Sequence, residues 1–157
     1  MKKHITLSAV LLTLILGLTF CGQKDSKNPI YKIVIPGGDF NETTTMIEMA
    51  IKGANMRIIS TLDLKKGLES RGENFPNYKV YQFCNLTKGM KVFKKVMDFG
   101  AYIPCKIFVY QKDKDIVVGT FLPTSALEHF GVVDNETKKL VLEIEDEIIS
   151  MIKGLKG

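Results

Sequence analysis

The sequence predicts an α+β fold, a two-layer sandwich in which a sheet of about five strands packs against helices. Three observations carry this expectation. Short β-branched and aromatic runs alternate with longer segments of helical periodicity, two strand-like runs flank the polar turn Lys112-Asp113-Lys114-Asp115, and a long amphipathic segment closes the chain. With 45% hydrophobic and 25% charged residues in 157, the composition is that of one globular domain rather than of a disordered or fibrous chain.

In chain order, Tyr31 to Ile35 reads as the first strand, closed by Pro36-Gly37-Gly38. Asn41 is the expected N-cap of a helix reaching Gly53, whose inward face would be Met46, Met49, Ala50 and Gly53 at the i, i+3, i+4, i+7 positions. Met56 to Leu62 is the second strand. Asp63 is then placed to cap a short helix over Leu64 to Ser70. Lys79 to Cys84 is the third strand, with Tyr81 and Phe83 on one face. Lys88 to Met97 reads as a helix with Met90, Phe93 and Met97 as its apolar stripe and Lys88, Lys91, Lys94 and Lys95 in solvent.

Two strands, Cys105 to Gln111 and Ile116 to Leu122, follow as a hairpin. The consecutive apolar residues Ile116-Val117-Val118 imply cover on both faces. A turn of helix is expected near Ser125 to Phe130. Asp134 or Asn135 then caps a final helix to Leu155, with Val141, Ile144, Ile148, Met151 and Leu155 inward and Glu143, Glu145, Asp146 and Glu147 outward.

Ahead of this domain, residues 1–20 read as a signal peptide. Lys2, Lys3 and His4 precede an apolar run from Ile5 to Phe20, about 24 Å of helix and short of the roughly 30 Å a bilayer core requires. The end of the run, Leu18-Thr19-Phe20-Cys21, resembles a bacterial lipobox, with Phe20 where a small residue is usual. That resemblance implies cleavage before Cys21, lipidation of Cys21, and a domain lipid-anchored to a membrane of the cell envelope, facing the periplasm or the exterior. Residues 21–29 form a polar, flexible tether, and residues 30–157 a single domain. Removing 20 residues from 157 leaves 137. Losing Lys2 and Lys3 takes the bases from 22 to 20 against 17 acids, so the net charge falls from +5 to +3. Nucleic-acid binding loses its main support with that charge.

With the strands placed, a family resemblance emerges. Asp63-Leu64 after the second strand, Cys84-Asn85 after the third, and Ile103-Pro104-Cys105 opening the hairpin look like the pattern of the DUF302 family (domain of unknown function). Leu86 stands where that family has Pro, and Ile103 where it has Leu. The resemblance implies a compact α+β domain, a possible homodimer, and no established activity.

The residues able to carry chemistry are few. Cys84 and Cys105 are the leading candidates: an even pair in an oxidising compartment invites a disulfide. A simple parallel crossover would instead set them at opposite ends of the sheet, about 20 Å apart, beyond bridging distance. Cys84 also precedes a helix, whose N-terminus can activate a thiol, yet His129 is the one imidazole left in the mature chain. Asp63 suits an N-cap better than a general acid or base. Met46, Met49, Met90 and Met97 fit core packing better than copper or haem ligation, so no cofactor or metal is expected. Pro36-Gly37-Gly38 lacks the Lys-Ser/Thr of a phosphate-cradling loop. The leading expectation is therefore a membrane-tethered, non-enzymatic domain binding a small ligand or a partner protein. The alternative is a thiol-dependent redox or transferase-type enzyme using Cys84 and Cys105.

Overall fold

Five strands, β1 (Ile30–Ile35), β2 (Arg57–Asp63), β3 (Tyr78–Cys84), β4 (Cys105–Lys112) and β5 (Asp115–Phe121), form one sheet in the computed structural model, which describes residues 28–156. The order is β1-β5-β4-β3-β2 and every neighbouring pair is antiparallel. The helices are α1 (Phe40–Gly53), α2 (Leu64–Glu69), α3 (Leu86–Phe93) and α4 (Asn135–Lys153), and α1 and α4 pack their apolar faces on one side of the sheet. The fold is the expected two-layer α+β arrangement. The expected leader, the expected lipidation at Cys21 and the part of the expected tether before Asn28 lie outside the described residues.

The first two strands occupy opposite edges of the sheet, so α1 must cross its whole width. Its N-cap is Asp39 rather than Asn41: the Asp39 carboxylate accepts from the Glu42 N–H at 2.8 Å. Starting there brings Phe40 into the inward stripe with Thr44, Ile47 and Ile51, and turns Met49 out to solvent. Apolar residues cover more than one face of this segment, so periodicity alone does not choose between the stripes; Phe40 decides.

The helix after β3 also differs from its expected form. It starts earlier, at Leu86, and gives way to a 3₁₀ turn at Met97–Ala101. Gly89 and Val92 face inward, whereas Met90 and Met97 are exposed. A Cβ on Gly89 would come within 3.2 Å of the Cys84 sulfur, so the helix makes its closest approach through the residue with no side chain. A pattern of apolar side chains does not register such an approach.

The closing helix follows its predicted seam and is capped by Asp134, which accepts from the Thr137 N–H at 2.8 Å. Glu145 departs from the solvent-facing set. It is buried, and its carboxylate accepts from the Thr124 N–H at 2.8 Å and from the Thr124 hydroxyl at 2.6 Å. Lys88 likewise leaves the solvated lysine group, reaching Glu147 at 2.6 Å and Glu143 at 3.3 Å on α4.

Register fixes two poles. Ile30 pairs with Phe121, Phe83 with Cys105 and Arg57 with Cys84 at what we call the lower end; Asp63, Tyr78, Lys112 and Asp115 mark the upper end. The main core lies between sheet and helices. A satellite cluster of Val92, Phe99, Ala126 and Val141 lies outside that core, built from the segments that cap the lower pole. The three apolar residues of β5 expected to be covered on both sides, Ile116, Val117 and Val118, are all buried. The side away from the helices carries a row of rings, with Tyr78 stacked on Tyr110 at 5.4 Å and Phe108 on Tyr110 at 6.2 Å.

Candidate functional site

The three residues singled out for chemistry do not converge. Asp63 ends β2 at the upper pole and caps α2, accepting from the Lys66 N–H at 2.9 Å. Cys84 and Cys105 lie at the lower pole, about 20 Å away along the strands.

The two thiols are near neighbours, not residues at opposite ends of the sheet as a parallel crossover would have placed them. The segment between them, α3 and the 3₁₀ turn, returns the chain to the pole it left, and β4 then runs antiparallel to β3 with Cys105 opposite Phe83. Both cysteines are free. Burial raises the Cys84 thiol above its ordinary pKa, and burial, reinforced by the nearby Cys84, pushes Cys105 up to about 12. Thiols so shifted are held protonated at neutral pH, the opposite of what nucleophilic chemistry requires.

His129 is exposed and its ring is parallel to that of Tyr102 at 6.4 Å. Among the described residues, no group of three or more His, Cys, Asp or Glu side chains is arranged to hold a metal ion. Nor is any described helix long and apolar enough to cross a membrane.

What the lower pole does provide is a concave apolar site. A pocket of about 250 Å³ is lined by Phe99, Ala101, Tyr102, Ile103, Cys105, Lys106, Phe121 and Pro123. Its aromatic wall is internally braced: Tyr102 stacks on Phe121 at 5.8 Å and meets Phe130 edge-on at 5.6 Å, while Phe99 packs against Phe130 at 5.3 Å. Among the described lining residues Lys106 alone is charged, and its ammonium donates to the Pro104 carbonyl at 3.1 Å. Such a site can enclose a small apolar body and offer one cation to an anionic end. It holds neither a base nor an activated nucleophile.

Of these lining residues, sequence reasoning had picked Cys105 alone. Phe99, Tyr102, Phe121 and Pro123 come from a 3₁₀ turn, a loop, a strand end and the start of a second 3₁₀ turn, so no periodicity links them. The signal present was the density of aromatic residues at the two ends of the hairpin.

Comparison with known proteins agrees with this fold. The chain is 26% identical to an uncharacterized protein of Aquifex aeolicus (strain VF5) over 149 residues, covering 94% of this chain and 96% of the relative. It is similar in structure to an uncharacterized conserved protein DUF302 from Bacillus stearothermophilus, solved by crystallography. The TM-score is 0.72 at 21% identity, with 80% of this chain and 96% of that one covered. The family model described as Domain of unknown function DUF302 matches residues 31–155, and the chain belongs to that family.

Proposed function

We propose that this protein is a membrane-tethered envelope lipoprotein whose domain is a non-enzymatic binder of a small apolar ligand carrying one anionic end. The observation that carries the reading is the pocket at the lower pole: aromatic and aliphatic walls, one lysine, and a thiol kept protonated by burial. A cavity near 250 Å³ is below the range typical of drug-sized ligands, so a compact aromatic or short-chain acid suits it better than a long acyl chain. The tethering rests on the basic start, the short apolar run and the lipobox-like Leu18-Thr19-Phe20-Cys21.

Titration with naphthalene-1-sulfonate, a compact aromatic anion with intrinsic fluorescence, tests the site. Ala101→Trp, which fills the pocket from an exposed wall position, is expected to weaken binding at least tenfold. Lys106→Gln is expected to weaken the sulfonate by roughly tenfold, in line with a lost charge-assisted contact, while leaving an uncharged analogue unaffected. Saturable binding indifferent to both substitutions would remove the pocket as the site. Mass spectrometry of the native product tests the anchor: the expected N-terminus is an acylated Cys21, and an unmodified chain beginning at Met1 refutes it.

A further inference from the structure

Among the described residues, four exposed apolar side chains gather at the lower pole. Leu86 and Met90 on α3 are 55% and 56% exposed, Met97 at the head of the following 3₁₀ turn 76%, and Val132 in the loop before α4 102%. Leu86, Met90 and Lys94 are spaced by four residues and so share one helix face. Lys91, Lys94 and Lys95 are interleaved with them, all exposed. Lys95 approaches Asp134 at 3.9 Å, which brings the Val132 loop alongside α3. The acids of this patch, Asp98 and Asp134, are fewer than its lysines, and Asp134 is engaged in capping α4.

The same pole is where the chain leaves toward Cys21. Pro29 is fastened there, its carbonyl accepting from the Leu122 N–H at 2.7 Å. Seven residues lie between Cys21 and Pro29, eight Cα-to-Cα steps in all. Those eight steps span at most about 27 Å. An acylated Cys21 therefore keeps this face, rather than the upper pole, against the bilayer at high effective concentration.

We propose that the lower pole seats on an anionic membrane surface, with Leu86, Met90, Met97 and Val132 entering the headgroup region and Lys91 and Lys94 meeting lipid phosphates. Apolar side chains at the interface and lysines beside them are the two contributions that hold peripheral surfaces on charged bilayers. The seating also turns the pole that carries the pocket toward the lipid. The proximity argument rests on the tether reading, whereas the docking surface itself can be tested without the tether.

The test is vesicle co-sedimentation of the domain beginning at Asn28, which spans the whole of the family match over residues 31–155. Phosphatidylcholine vesicles are compared with vesicles also containing phosphatidylglycerol. Stronger binding to the anionic vesicles is expected, falling at least tenfold in Lys91→Glu/Lys94→Glu, since each lysine near the surface is worth about fivefold in partitioning. Met90→Ser/Met97→Ser is expected to lose roughly tenfold as well. Leu62→Ser, at an equally exposed apolar residue of the upper pole, is expected to change nothing. All of these positions are exposed, and far-ultraviolet circular dichroism verifies folding.

Equal binding to both vesicle types, indifference to the lower-pole substitutions, or an equal loss in Leu62→Ser would each overturn the proposal. So would a concentration-dependent dimer, abolished by Met90→Ser/Met97→Ser, in a domain that ignores vesicles; that result would assign the face to a second copy. Failure of acylation at Cys21 is read separately, from the mass of the native N-terminus, and leaves the vesicle result standing.

Discussion

Alkylation of Cys84, which is buried, and of Cys105, half-buried in the pocket wall, separates a binding domain from a thiol enzyme. An ordinary thiol near 9 is about one-tenth thiolate at pH 8, and one pushed up to about 12 is ionised in roughly one molecule in ten thousand. Because the thiolate is the reacting form, Cys105 is expected to react with iodoacetamide about a thousandfold more slowly than the same residue in urea, before any loss from restricted access. Cys84, shifted in the same direction by burial, is expected to be slowed as well. The assay is timed quenching at pH 8 followed by peptide mapping, which resolves each cysteine. The same shift has a consequence for stability. Between about pH 9 and about 12 the folded chain retains a proton on Cys105 that the unfolded chain releases, so the folded state binds more protons and its stability falls as pH rises through that window. Tyr81, raised from 10.0 to about 12 by burial and then by the Glu48 charge, acts in the same sense. Alkaline denaturation beginning near pH 9 is therefore expected, with no contribution from these groups at neutral pH. Native Cys84 or Cys105 reacting at the urea rate at pH 8, with an inflection near neutrality, would refute the reasoning and restore the thiol-enzyme alternative.

Two further outcomes test the framework that positions the pocket. Gly119 lies in β5 beneath the Phe108 ring, and a Cβ there would come within 2.7 Å of the Tyr31 carbonyl as well as colliding with that ring. Gly119→Ala is expected to destabilise by about 1–3 kcal/mol in urea melts despite the better strand propensity of Ala, and a neutral or stabilising result would show that β1 is not pinned against β5 as described. Glu145→Ala, which leaves the Thr124 N–H and hydroxyl without their acceptor, is expected to cost about 2–3 kcal/mol. Glu145→Gln keeps an acceptor and is expected to cost clearly less; equal losses in the two variants would contradict its role as the acceptor for Thr124.

The strands were legible because their patterns are local. All five β-segments lie within a residue or two of where alternation and turn residues put them, and the turn at Asp113, which takes a left-handed φ of 56°, is one that a short polar side chain tolerates. Helix faces were less legible. On α1 two apolar stripes compete, and on α3 the inward face is led by Gly89, which carries no hydrophobic signal. Glu145 and Lys88 read as surface residues because partners many positions away, Thr124 and the α4 carboxylates, are what satisfy them. The pocket was invisible for the same reason: Tyr102 and Phe121 face each other across a hairpin whose strand order no local pattern specifies.

That strand order is what gathers the proposed functional surface at one pole. Had β3 and β4 been joined by a parallel crossover, Cys84 and Cys105 would be separated by the length of a strand, and the segment between them would lie flat along the sheet. The antiparallel return instead forces residues 85–104 to fold back beyond the sheet end, where few strand hydrogen bonds are available to organise them. They are stabilised by packing on Val141 and Ala126 within the satellite cluster, which leaves Tyr102 and Ile103 as a pocket wall and Met90 and Met97 outside. One topological choice thus accounts for the paired thiols, the apolar cavity and the exposed apolar pole together. At the upper pole the two carboxylates nearest the strand ends are committed to structure: Asp63 caps α2, and Asp115 accepts from the Gly37 N–H at 3.2 Å across the turn that closes β1.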